Sequence, residues 1–297
     1  MIDLKYHVAS LVGVFLALGV GILVGSTMVN DSALVDQQEK IIDRLEADFA
    51  RLKADREALT SRLAASERAL SASLDFEDTI VRGLVAGKLA GRHVAIVVCQ
   101  DAMSQDGRKS VVRCIEEAGG ELVRIIHVKK RLAPVSAREA REVASALGVT
   151  AAGAEAVGRT AAEALASYAV LGEVAPVLDA LVALGYAASE GGTADPPRRA
   201  DAVVTVVGSP DPALSPADAG IPMVRAMKSL GAEVVGVEAW GVKVSQVAEY
   251  RREGISTVDC ADLPLGRLSL VYALSGQRGH FGIKDASVTC IPDIVRR

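Results

Sequence analysis

Hydrophobic and polar positions divide the chain into three stretches with different periods. From Val8 to Val29 there are 22 residues without a charge, and Ser10, Ser26 and Thr27, all near the ends, are the only hydroxyl side chains. That run is long enough to cross a hydrocarbon core of roughly 30 Å at about 1.5 Å per helical residue. A buried helix of a water-soluble domain would keep polar positions along one face. A cleavable signal peptide has a shorter apolar core, a basic start and a small-x-small cleavage site. Here Lys5 is offset by Asp3, Gly25-Ser26-Thr27 matches such a site only loosely, and helix-forming sequence follows at once. The stretch therefore predicts an uncleaved, single-pass membrane anchor over residues 1–30. Lys5 and the amino terminus precede the span, and Asp31 and Asp36 follow it. By the positive-inside rule the amino terminus is expected in the cytoplasm and the bulk of the chain outside it. Ala9, Gly13, Ala17, Gly21 and Gly25 recur every four residues. Small residues at that spacing let two helix backbones approach closely in lipid, which marks Gly13, Ala17, Gly21 and Gly25 as candidate packing positions. The competing reading is the general tolerance of membrane helices for Gly and Ala.

Residues 31–75 carry ten acidic and seven basic side chains and neither Pro nor Gly, a composition that favours continuous helix. With Val35 at a, the a positions are Val35, Ile42, Phe49, Arg56, Leu63 and Leu70, and the d positions Gln38, Leu45, Leu52, Leu59 and Ser66; eight of these eleven are apolar. Such a heptad predicts a coiled coil with its interface on Ile42, Leu45, Phe49, Leu52, Leu59, Leu63 and Leu70. Asp48 with Lys53, and Arg62 with Glu67, form opposite-sign g–e pairs across a parallel homodimer. The alternative is an amphipathic helix lying on its own domain. The parallel pair is favoured because both chains start in one membrane beside a small-residue face.

Beyond residue 76 the pattern becomes apolar runs alternating with Ala-rich helical stretches. Strands are expected at 94–99, 121–128, 202–207, 233–237 and 256–259. Helices are expected at 76–88 (closed by Gly91), 108–118, 217–230 and 263–274. Strand–helix alternation implies parallel pairing through right-handed crossovers. The expected fold class is α/β: a membrane helix, a coiled-coil helix, then a doubly wound, mainly parallel five-stranded sheet of Rossmann-like type over residues 76–297. A helical insertion occupies about 132–200, ending in the polar loop Gly191–Pro197.

Charge and composition remove several functions. Lys plus Arg number 33 against 37 Asp plus Glu, a net charge of −4, and aromatics are 3%. A basic face or an aromatic stacking platform for nucleic acid is not expected. No GxGxxG follows the first strand, and neither GxxxxGK[ST], GxSxG nor HExxH occurs. Open α/β sheets bind ligands beyond the carboxyl ends of their strands, where Asp101 and Asp211 stand. Helix capping and turn formation account for both more simply. Cu(I) selects soft sulfur. Cys99 and Met103, four apart, are the candidate metal ligands, although Cys and Met are also ordinary core fillers, as for Met223 and Met227. Cys114, Cys260 and Cys290 complete the thiols, with one disulfide possible outside the cytoplasm. His7, His93, His127 and His280 are scattered. The chain is expected not to be an enzyme and to need no cofactor, copper being the one candidate ion.

Met1-Ile2-Asp3-Leu4-Lys5-Tyr6-His7-Val8, then Phe15-Leu16-Ala17-Leu18-Gly19-Val20-Gly21 and Gly25-Ser26, resemble the MctB-type copper-transport family of bacterial envelopes. The order of span, coiled coil and α/β domain is similar along the whole chain. Gly279-His280-Phe281-Gly282 resembles a glycine-aromatic turn of that family, while Ile283-Lys284-Asp285 departs from its Gly-Pro-rich continuation. The resemblance implies copper homeostasis, through efflux or tolerance, by a membrane-tethered dimer. A non-catalytic envelope scaffold that recruits a cell-wall or cell-division partner is the alternative.

Overall fold

The computed structural model describes residues 4–99, 103–132, 134, 136–149, 153–173, 176–191, 197–208, 220–284 and 287–294. Its contacts divide the chain into two units, Met1–Ser71 and Ala72–Arg297. The first helix, α1, runs from Leu4 to Val85 without a break. The separate short helix expected at 76–88 is thus the end of α1. Between Gly25 and Gly83 no Gly or Pro interrupts the sequence, so nothing stops the helix until Gly87, whose φ of +74° ends it.

Within the first unit, every apolar a and d residue from Val35 to Leu70 has more than half its surface exposed. The second unit takes the last turns of α1 into its own core, where Val81 and Val85 are buried with Leu89. Asp78 fixes these turns in place, pairing with Arg82 at 2.5 Å and with Arg267 at 2.7 Å.

The sheet has seven strands: β1 (His93–Cys99), β2 (Glu121–Val128), β3 (Ala187–Gly191), β4 (Ala202–Val206), β5 (Glu233–Val237), β6 (Ser256–Val258) and β7 (His280–Phe281). Their spatial order is β3-β2-β1-β4-β5-β6-β7. All neighbours are parallel except β3, which runs antiparallel to β2. The five expected strands are present and two were missed. β3 reads Ala-Ala-Ser-Glu-Gly, without a β-branched residue, and β7 has two residues. Neither carries a hydrophobic period long enough to be seen.

The unbroken apolar runs follow from burial on both faces. Along β1, Ala95, Val97 and Cys99 enter one core and Val94, Ile96 and Val98 the other. The first core is closed by α3 (Ala137–Ala146), α4 (Ala154–Leu171), α5 (Pro176–Ala183), α6 (Gly220–Ser229) and Tyr250 of α7 (Val247–Arg252). The second is closed by the end of α1, by α2 (Gln105–Glu117) and by α8 (Pro264–Leu274). The expected insertion is therefore three helices that cover one face, followed by the edge strand β3. The described part of the loop after it begins at Pro197, and residues 192–196 lie outside the described residues.

Arg124 of β2 is buried with no carboxylate partner among the described residues. Its guanidinium donates to the Ala169 carbonyl at 2.8 Å and to the Arg198 carbonyl, and lies 5.6 Å from the Tyr168 ring centroid. It thus meets the negative, carbonyl-rich end of α4, where a cation is stabilised by the helix dipole.

Candidate functional site

In an open α/β sheet the crevice forms where strand order reverses, here between β1 and β4. Cys99 ends β1 and Gly208 follows β4. Asp101 and Asp211, the carboxylates the sequence offers at this position, lie outside the described residues.

The structure places the candidate sulfur ligands in different surroundings. Cys99 belongs to one core and Met103 to the other, so the two are not brought together. Met223 and Met227 pack side by side in the first core. Cys99, Cys114 and Cys260 are buried, and burial pushes each thiol up to about 12. A thiol in that range is protonated at neutral pH and packs as a small hydrophobe rather than as a thiolate ligand. Cys290 is exposed. Among the described residues no three His, Cys, Asp or Glu side chains stand together as a metal-holding group. Three histidines have neighbours of their own: His93 lies between Glu121 at 3.6 Å and Asp201 at 3.4 Å, His127 faces Glu190 at 3.5 Å, and His280 bonds Thr257 at 3.0 Å.

The most elaborate polar arrangement lies one strand farther along the carboxyl edge. Glu238 directly follows β5 and Asp259 directly follows β6, and neither has exposed surface. Glu238 accepts from the Lys284 ammonium at 2.6 Å and from the Gln246 N–H at 3.2 Å. The same ammonium donates to the Ala239 carbonyl at 2.9 Å and lies 6.0 Å from the Trp240 ring centroid. Asp259 accepts from the backbone N–H groups of Ile283 and Lys284, at 3.0 and 3.1 Å, and from the Ser287 hydroxyl. Burial drives the Glu238 carboxyl above its usual range, and the hydrogen bond and charge of Lys284 only partly oppose this. Two strand-end carboxylates thereby hold the segment after β7 against the sheet. Sequence reasoning missed them. The available signal was a carboxylate placed directly after each apolar run, Val237-Glu238 and Val258-Asp259.

The other functional element is the amino-terminal part of α1. Lys5–Ser26 is long and apolar enough to cross a membrane, and none of it is buried within the protein. A Cβ added at Gly13, Gly21 or Gly25 would meet only open space, and Ala17 on the same four-residue spacing is exposed.

A family model described as "Copper transport outer membrane protein, MctB" matches residues 1–292. The chain belongs to the MctB family. Proteins named "Copper transporter MctB" from Mycobacterium bovis and Mycobacterium tuberculosis are 27% identical to it over 317 aligned positions, covering 95% of this chain and 96% of theirs. The match takes in the apolar span, the charged rod and the α/β unit of this MctB family member. The resemblance read from the opening residues and the glycine-aromatic turn is therefore shown over nearly the full length.

Proposed function

We propose that this chain is a single-pass envelope protein of copper transport, anchored by Lys5–Ser26, paired through the heptad seam of α1, and carrying its α/β unit outside the cytoplasm. The observation that carries the reading is the family match from the membrane span to residue 292. The exposed apolar a and d positions support pairing with a second copy, since a helix leaves such a seam in water only at a cost of roughly 25 cal/mol per Å². The one candidate span among the described residues supplies no aqueous path for an ion, so the proposed role is non-enzymatic support of efflux or tolerance by a tethered dimer, with conduction left to an assembly or partner.

Cells lacking the chain are expected to accumulate copper and to grow poorly in it. Full-length protein restores tolerance, and a form lacking residues 1–30 does not. Unchanged copper content and growth would overturn the reading. Pairing is checked by cysteine crosslinking at Leu45 in membranes. Leu52→Glu with Leu59→Glu abolishes the crosslinked dimer, and a crosslink that survives both charges would count against the coiled coil.

The alternative, a scaffold recruiting a cell-wall or division partner, is favoured by one observation, the half-exposed Trp240 beside the sealed Glu238–Lys284 pair. Crosslinking in cells separates the readings: a scaffold yields a second envelope protein and leaves copper tolerance unaltered on deletion.

A further inference from the structure

The amino-terminal edge of the sheet, opposite the carboxylate clamp, holds a cleft of about 440 Å³ between α6, β5, β6 and β7, within the size range of small-ligand sites. Three basic side chains from three elements line it: Lys228 of α6, Arg278 of the α8–β7 connection and His280 of β7. Arg251 of α7 adds a fourth positive charge that acts on His280. Against these stands, among the described residues, one lining carboxylate, Glu233. The nearby Glu253 accepts from Arg225 Nε and Nη2, at 2.8 and 2.6 Å, and its backbone carbonyl accepts from Lys228, whose charge also acts on the carboxylate from beyond ion-pair distance. Neither Lys228 nor Arg278 has an ion pair among the described residues.

Two polar groups at the floor also keep hydrogen-bonding capacity toward the cleft. The Ser256 hydroxyl accepts from the Gly279 N–H at 3.3 Å, which leaves its own proton to give. The imidazole Nδ1 of His280 is taken by the buried Thr257 hydroxyl, which leaves Nε2 for a ligand. Burial and the charge of Arg251 hold His280 below its usual range, so the ring is neutral at pH 7, and negative charge arriving beside it favours the protonated form.

We propose that this cleft binds a small oxyanion of the phosphate class, held by Lys228, Arg278, the Ser256 hydroxyl and His280 Nε2. Convergent cations with little opposing charge, in a concave and partly buried setting, give charge-assisted hydrogen bonds their strength. All of its lining residues belong to the second unit.

The test uses the full chain in detergent micelles and inorganic phosphate as the probe, followed by calorimetry and by NMR of ¹³C-labelled histidine at fixed ionic strength. One phosphate per chain binds saturably, the His280 ring signals move toward the imidazolium position, and trimethyl phosphate, which is neutral, does not bind. Arg278→Ala, which removes an exposed side chain without an ion pair among the described residues, weakens phosphate roughly tenfold and leaves the melting temperature in place. Lys228→Ala weakens it to a similar degree. Non-saturable binding, equal binding of chloride, or unchanged affinity in Arg278→Ala would each overturn the proposal.

Discussion

The Lys284 ammonium stands 2.6 Å from a carboxylate oxygen of Glu238, a side chain with no exposed surface at the carboxyl end of β5. Removing one partner of such a pair strands a buried charge, which costs far more than the pair itself contributes. Lys284→Met is therefore expected to lower stability by about 3 kcal/mol. Glu238→Gln combined with Lys284→Met recovers much of the loss, because no ion is then left buried. Urea unfolding followed by the fluorescence of Trp240, the sole tryptophan, measures both and reports on the ring beside Lys284.

Gly282 has φ +141°, and a Cβ there would run into the Asp259 carboxylate that holds the following segment. Gly282→Ala combines backbone strain with that clash and is expected to cost about 3 kcal/mol. Amide exchange should rise first at Ile283 and Lys284, whose N–H groups bond Asp259. Protection equal to wild type at those two amides would refute the clamp.

At the end of α4, Gly172 has φ +78° and donates its N–H to the Tyr168 carbonyl at 2.9 Å. A Cβ there would strike the Arg124 guanidinium. Arg124→Met orphans the Ala169 and Arg198 carbonyls, at an expected cost of about 2 kcal/mol. Gly172→Ala should weaken the same contact from the other side. The two changes should be less than additive in a double-mutant cycle, since they damage one interaction.

Asp78 links the end of α1 to α8. Burial opposes its ionisation, but the Arg82 hydrogen bond and the charges of Arg267, Arg82 and Arg113 outweigh it, so its carboxyl titrates below the ordinary 3.8. A carboxylate depressed in the folded state contributes stability at pH values above its unfolded pKa and loses that contribution as pH falls through the folded value. Protection factors at residues 81–85, taken relative to the intrinsic exchange rate at each pH, should therefore be high at pH 6 and fall below about pH 4. Asp78→Asn should exchange faster at pH 6 and lose that acid-dependent step.

The elements that could be read from the amino acids are those that satisfy one rule throughout their length. β1, β4 and β5 are apolar runs because both faces are covered, and the continuous helix α1 follows from a stretch, residues 26–82, that holds neither Gly nor Pro. The elements that escaped depend on partners far away in sequence. β3 is a strand because β2 offers it an edge, and β7 because β6 does. The candidate sites behaved likewise. Cys99 and Met103 are four apart, yet Cys99 joins one core and Met103 the other. Glu238, Asp259 and Lys284 are scattered through 47 positions, 238 to 284, and only the folded sheet gathers them. The cleft of Lys228, Arg278 and His280 has the same origin, because no local spacing relates α6 to β7.

The clamp on Ile283, Lys284 and Ser287 also bears on the order in which a ribosome delivers the sheet. β1, an interior strand, is made first, whereas the flank beyond β6 is completed only by β7 and by the bridge from Phe281 to Thr289. Until those residues have emerged, β6 presents an open, hydrogen-bond-hungry border to any other nascent chain. Quality surveillance of this protein would thus fall on the interval between synthesis of β6 and closure of that border, and nonsense changes shortly before residue 280 should produce aggregates rather than a slightly shortened native fold.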